Sequence, residues 1–143
     1  LLVLVVACAA PSSLRDKPHT SRFQKPFEEV WAAMVEVLGE LALPIETTEE
    51  GAGRIETGWV GIDSGIDHVD CGRQAPGDLR HFSGRINVEI RQLDPAVEVD
   101  ITSTFRAIMR DPATNSNYQV RCYSTGRWES EISGRLEEEI RGG

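Results

Sequence analysis

Residues 86–106, INVEIRQLDPAVEVDITSTFR, decide the fold. Apolar and polar side chains alternate on both sides of the turn-forming stretch LDPA at 93–96. The apolar positions are Ile86, Val88, Ile90, Val97, Val99, Ile101 and Phe105. A period of two predicts strands with one buried face and one face in water, which is typical of antiparallel sheets. The stretch therefore predicts an antiparallel hairpin.

The segments on either side of this hairpin predict two helices and three more strands. Residues 26–41 and 125–140 repeat apolar side chains every three or four positions, as amphipathic helices do. Residues 45–49 and 54–60 flank a glycine-containing turn, and residues 118–123 form another alternating run. The order α-β-β-β-β-β-α predicts an α+β two-layer sandwich. In it, one antiparallel sheet of about five strands has an N-terminal and a C-terminal helix on one face.

Composition and charge bound the class of protein. The chain of 143 residues is 27% charged and 40% hydrophobic, which suits one folded domain, here assigned to residues 26–143. Its formal net charge is −8, and no basic block occurs in it. Phosphate backbones need clustered Lys and Arg, so we expect no nucleic-acid partner. The acidity also disfavours adhesion to anionic lipid by charge alone.

The N-terminal segment LLVLVVACAAPSS, residues 1–13, suggests export. Val5-Val6-Ala7-Cys8 resembles the lipobox of bacterial lipoproteins, in which the cysteine is acylated and becomes the new N-terminus. The resemblance implies that residues 1–7 end a signal peptide whose basic n-region is missing, and that residues 8–25 are a lipidated, flexible tether. The alternatives are a buried N-terminal strand and, less favoured, a membrane span. The apolar run is about half of the roughly 20 residues that a span needs.

This interpretation also predicts the state of the two remaining cysteines. With Cys8 assigned to lipid, Cys71 and Cys122 are left as a pair in an oxidising compartment, where a disulfide is the expected state. A metal site and a catalytic thiol are the alternatives, but neither cysteine has CxxC spacing.

A second resemblance concerns the folded part. Residues 23–60, FQKPFEEVWAAMVEVLGELALPIETTEEGAGRIETGWV, resemble the helix-strand-turn-strand opening of BamC-like (NlpB/DapX-type) lipoprotein domains. Residues 121–132, RCYSTGRWESEI, resemble the close of small periplasmic lipoproteins. The resemblance implies an accessory domain anchored to the outer membrane and facing the periplasm, and Ala9 after the cysteine fits that sorting. BamC itself has two such domains and a long N-terminal partner-binding segment, so its partner is not carried over.

Few residues offer chemistry. His68 lies in DSGIDHVDC, residues 63–71, which raises a metal or calcium loop as a hypothesis, but the spacing matches neither an EF-hand nor a zinc signature. His19 is expected in the solvated tether, and Ser124 is expected to cap the C-terminal helix. Trp59 and Tyr123 are expected in the core. We therefore predict no catalytic residue, no metal and no cofactor.

The function expected from the sequence is a non-catalytic binding or scaffolding module. It would be held at the outer membrane by acylated Cys8, would contact an envelope protein, and would be linked to outer-membrane protein assembly. The long loops 61–79 and 111–117 and the wet sheet face are the candidate surfaces. The alternative is a periplasmic small-ligand or metal-binding protein that uses the 61–79 loop with His68 and Asp70.

Overall fold

The computed structural model describes residues 18–62, 68–71 and 78–142. Cys8 and the other residues up to 17 lie outside this range. The described elements are β1 (His19–Phe23), α1 (Phe27–Glu40), β2 (Ile45–Glu49), β3 (Arg54–Thr57), β4 (Val60–Gly61), β5 (Val69–Asp70), β6 (Asp78–Leu93), β7 (Ala96–Arg110), β8 (Asn117–Ser124) and α2 (Arg127–Gly142).

The β6–β7 hairpin is the centre of the sheet. Its register runs from Leu93 opposite Ala96 at the turn to Asp78 opposite Arg110 at the far end. The apolar positions predicted to face inward are buried, with exposed fractions between 0 and 2% from Ile86 to Phe105. The hairpin predicted by the alternating sequence is confirmed.

Shorter strands flank this hairpin on both sides. β3 and β4 pair successively with β6, and β1 and β8 pair successively with β7. β2 extends the sheet beyond β3, and β5 extends it beyond β8. All pairings are antiparallel. The described residues therefore form one sheet of eight strands.

Both helices pack on the apolar face of the sheet. Val30, Met34 and Leu38 of α1 share one buried cluster with Ile132 and Leu136 of α2 and with the inward residues of β6 and β7. Glu40 of α1 and Arg135 of α2 form an ion pair at 2.9 Å between the two helices. The predicted α+β class, with two helices on one antiparallel sheet, is confirmed.

The other side of the sheet, called the open face below, has no described helix against it. It presents the outward residues of the two central strands: Arg85, Asn87, Glu89 and Arg91 of β6, and Glu98, Asp100, Thr102, Thr104 and Arg106 of β7. One helical layer and one open face follow from the period-two alternation of the sequence.

Two expectations about the elements are wrong. The sheet has eight strands and not about five, because the predicted strand 54–60 is divided into β3 and β4, and because β1 and β5 are short and show little periodicity. β5 lies within residues 61–79, which the sequence assigned to a loop. Residues 19–23 were assigned to the flexible tether 8–25, but they form β1, with His19 opposite Ile101 and Phe23 opposite Val97. Phe23 is 9% exposed and lies in the core. The folded unit therefore includes β1, ahead of the predicted start at residue 26.

Candidate functional site

Cys71 and Cys122 are joined as predicted. Asp70 lies opposite Tyr123 in the β5–β8 pair, which places the two cysteines opposite each other at the edge of the sheet. Their sulfur atoms are 2.07 Å apart, and their Cα atoms are 4.2 Å apart. Cys122 is fully buried in a second apolar cluster with Phe105 and Met109. The disulfide therefore ties the edge strand β5 to the sheet.

Cys8 is outside the described residues, so its acylation stays a prediction. Within the described ranges, none of the helices is both long enough and apolar enough to cross a membrane.

The histidines are in three separate places. His68 lies beside the start of α2, where its Nε2 is 3.1 Å from Glu131 Oε2 and its carbonyl accepts a hydrogen bond from the Thr125 amide. A cleft of about 470 Å³ opens next to it, lined in part by Leu43 and Trp128. His19 is on β1 and His81 on β6.

The metal hypothesis draws no support from the described residues. In the ranges 18–62, 68–71 and 78–142, no three His, Cys, Asp or Glu side chains are grouped as metal ligands. Much of the 61–79 loop lies outside those ranges, so its role in ligand binding stays a hypothesis.

The most distinctive feature of the open face is a group of three arginines and two aromatic residues. We call it the arginine cluster; it consists of Trp59, Arg85, Arg106, Arg121 and Tyr123. The guanidinium carbons of Arg85 and Arg106 lie 5.0 and 4.0 Å from the centroid of the Trp59 ring. The guanidinium carbon of Arg121 lies 5.5 Å from the Tyr123 ring. These are cation–π distances.

The register of the sheet brings the three arginines together. Arg106 of β7 is directly opposite Arg121 of β8. On the other side of β7, Arg106 is opposite Ser83 of β6, and Arg85 is two residues further along the same strand. Three neighbouring strands therefore each place one guanidinium group on the same face.

Trp59 joins this cluster because the strand around it is interrupted. β3 ends at Thr57 and β4 begins at Val60, and between them the Gly58 amide donates a hydrogen bond to the Pro44 carbonyl at 2.8 Å. Thr57 and Val60 both pack toward the core, so the two-residue break sends Trp59 to the open face.

The expectation that Trp59 and Tyr123 are core residues is wrong. Both side chains are half-buried under arginine guanidinium groups. For Trp59, the prediction assumed an unbroken alternation from Ile55 through Thr57, which the break at 58 and 59 removes.

Arg85 and Arg106 together carry more positive charge than their described neighbours offset. Arg85 Nη1 is 3.7 Å from Glu56 Oε1. Arg106 forms no ion pair with any residue in the described part of the chain. The Nε atoms of Arg85 and Arg106 are buried and have no hydrogen-bond partner among the described residues. Buried donors are nearly always paired, so these two atoms are exceptions that call for an explanation.

The opposite half of the open face is ion-paired. Glu98 accepts from Arg91 at 2.6 Å and lies 3.0 Å from Arg22 of β1. The hydrogen bond from Arg91 lowers the pKa of Glu98, with further lowering by Arg22, against an opposing effect of burial. Arg91 also contacts Asp100. In this half, carboxylates and guanidinium groups neutralise one another.

The sequence did not predict that Glu129 of α2 is a buried polar residue. Glu129 is fully buried and accepts hydrogen bonds from Ser103 of β7 and from Ser124 of β8, the latter at 2.7 Å. Ser124, the predicted N-cap, lies three residues before the first residue of α2, Arg127, and its hydroxyl accepts a hydrogen bond from the Gly126 amide at 2.9 Å. The signal in the sequence is its spacing: Glu129 lies three and seven residues before the buried Ile132 and Leu136, and so shares their face of the helix.

Comparison with known proteins returned no match to any family model and none to any curated protein. The BamC-like resemblance of residues 24 to 60 therefore stays a prediction.

Proposed function

We propose that this protein is a lipid-anchored, non-catalytic binding module of the bacterial cell envelope. It is held at the outer membrane through acylated Cys8, faces the periplasm, and serves as an accessory to envelope assembly. The observation that supports binding most directly is the open face, where the arginine cluster lies beside an ion-paired half of the same sheet.

The disulfide supports an exported location. A bond between Cys71 and Cys122 closes a chain separation of 51 residues, and such bonds persist in oxidising compartments and are rare in reducing ones. The odd third cysteine is Cys8, in the lipobox-like sequence. Export and lipidation together account for all three cysteines.

The difference between the two faces of the sheet supports a binding role. The apolar face is occupied by α1 and α2 and holds the main core. The open face is free of described helices and has a cleft of about 550 Å³ between β3, β6 and β7, lined by side chains such as Arg54, Asn87 and Asp100. A partner can therefore bind the open face without disturbing the core.

The position of β1 limits how far the domain reaches from the membrane. With β1 beginning at His19, 11 Cα-to-Cα steps separate the domain from Cys8. At no more than 3.6 Å per residue, they span at most about 40 Å. The domain is thus confined to a layer close to the lipid surface, as an accessory module of membrane-embedded machinery requires.

The test is site-specific photo-crosslinking in cells. A photoreactive residue is placed at Thr104 on the open face or, as the matched control, at the exposed Glu138 on α2, in both the acylatable protein and a Cys8→Ser form. We expect one adduct from Thr104 that requires Cys8, no equivalent from Glu138, and the mass of an acylated N-terminus at Cys8. An acylated protein that yields no adduct at Thr104 rejects the binding role, and an unacylated Cys8 rejects the anchor.

A further inference from the structure

We propose that the arginine cluster binds the carboxylates of an acidic segment of a partner protein. This inference rests on the proposed function and specifies the chemistry of the partner. It places the contact at Arg85, Arg106 and Arg121 and not at the loops that the sequence favoured.

The distribution of charge makes this face suited to an acidic partner. The two helices contain nine glutamates against three arginines, a formal charge of −6 out of the −8 of the whole chain. These helices lie on the other side of the sheet. The acidity of the protein is therefore concentrated away from the arginine cluster, whose guanidinium groups are separated from most of it by the thickness of the sheet.

The aromatic rings hold the guanidinium groups ready for binding. Stacking on Trp59 restricts Arg85 and Arg106, and the Tyr123 ring restricts Arg121. A restricted guanidinium loses less side-chain entropy when it binds than a free one does. It also keeps its planar edge of N–H donors, which matches a carboxylate in a bidentate pair.

The unpaired Nε atoms of Arg85 and Arg106 indicate that acceptors are missing. A buried donor without an acceptor costs free energy, and a ligand oxygen that draws the guanidinium outward would supply one. Elsewhere on the same face, Arg91 and Arg22 have acceptors in Glu98. A carboxylate of the partner would accept hydrogen bonds from Arg106, as Glu98 does from Arg91.

The spacing of the cluster favours a segment with several carboxylates over one small anion. The arginines lie on three successive strands, and neighbouring strands are about 4.8 Å apart, so the row spans about 10 Å. One small anion has a single centre of charge, whereas a segment with several carboxylates distributes its charge along the row. An extended chain places alternate side chains about 6.6 Å apart, so acidic residues along one segment can reach more than one arginine.

The experiment is an NMR titration of the soluble Cys8→Ser protein, labelled with ¹⁵N, with a short poly-glutamate peptide. A poly-glutamine peptide of equal length is the ligand control. We expect the arginine Nε–Hε signals of Arg85 and Arg106 to shift with the acidic peptide only, and to shift less as salt is raised.

Variants locate the contact. Arg121 is exposed, so Arg121→Gln should leave the fold unchanged and weaken binding about fivefold, and Arg106→Gln should do the same or more. Arg22→Gln is the matched control, since Arg22 is an exposed open-face arginine in the ion-paired half, 3.0 Å from Glu98. The backbone amide spectrum reports whether each variant is folded.

Several results would overturn the inference. The first is unchanged Nε–Hε signals at millimolar peptide, and the second is equal weakening of binding by Arg22→Gln. The third is inorganic phosphate that displaces the peptide from the same signals. The others are arginine-dependent binding to anionic vesicles in preference to the peptide, and shifts caused by self-association without peptide. An unchanged Thr104 adduct in the Arg121→Gln and Arg106→Gln variants would reject this inference while leaving the proposed function in place.

Discussion

At the scale of single residues, Glu129 is a polar side chain whose loss should lower stability markedly. It is fully buried and is the common acceptor for Ser103 and Ser124. Glu129→Ala leaves a buried hydroxyl without its partner and a cavity beneath α2, so we expect a loss of about 3 kcal/mol in the free energy of unfolding. Urea denaturation measures it.

The matched control for this prediction is Glu138→Ala, an exposed glutamate on the same helix. It should change stability by no more than about 0.5 kcal/mol. Equal effects of the two substitutions would mean that the contacts of Glu129 with the serines contribute nothing to stability.

Glu98 gives the fold a dependence on pH. The hydrogen bond from Arg91 lowers its pKa in the folded state, so its contribution to stability is present at neutral pH and is lost as the pH falls through the lowered pKa. Glu98→Gln should therefore destabilise the protein near pH 7 and have little effect near pH 2. Urea unfolding of both proteins across this range is the measurement.

Glu89→Gln serves as the comparison for Glu98. Glu89 lies on the same face, 51% exposed, with its nearest guanidinium nitrogen 3.9 Å away. This variant should follow the wild-type pH curve, because an exposed, loosely spaced pair contributes little. If Glu98→Gln also followed that curve, the charge network around Arg91 would not be a source of acid sensitivity.

At the scale of elements, residues 19–23, which were expected in the flexible tether, form strand β1. A substitution at Phe23 tests whether this strand contributes to stability. Phe23→Ala removes a buried ring from the end of β1, and we expect a loss of about 3 kcal/mol in the free energy of unfolding. Gln24→Ala, at the next and exposed position, should be nearly neutral. A neutral Phe23→Ala would show that residues 19–23 behave in solution as the tether that the sequence suggested.

Elements with strong periodicity could be predicted from the sequence. β6, β7 and both helices were found because long amphipathic segments repeat the pattern many times. β1 was missed because HTSRF has one large apolar residue, and its inward Ser21 meets the Ser133 hydroxyl at 2.6 Å in place of an apolar contact. β5 has two residues and depends on the disulfide partner strand β8.

The arginine cluster could not be predicted from the sequence, for a different reason. Arg85, Arg106 and Arg121 each occupy an ordinary outward position of an alternating strand, where a charged residue needs no explanation. Their proximity comes from the register between three strands, and Trp59 joins them only because β3 breaks at Gly58. Pairing register and strand breaks are tertiary properties that one sequence does not reveal.

At the scale of the whole molecule, the disulfide ties residues far apart in sequence to one edge of the sheet. The bond between Cys71 and Cys122 closes a separation of 51 residues that includes β6, β7 and most of β8. Constraining a loop of this length in the unfolded chain contributes about 4 kcal/mol on the chain-entropy model. A domain of this size is stable by roughly 5 to 15 kcal/mol, so the bond accounts for a large share.

Reduction of the protein should therefore lower the free energy of unfolding by about 4 kcal/mol, and the double variant Cys71→Ala/Cys122→Ala should show a similar loss. Urea denaturation with and without a thiol reductant measures both. The double variant is also the control. If the reductant acts only by breaking this bond, it should not change the free energy of unfolding of the double variant. Two titratable thiols at these positions in protein isolated from the periplasm would contradict the disulfide, and with it the main support for an exported protein.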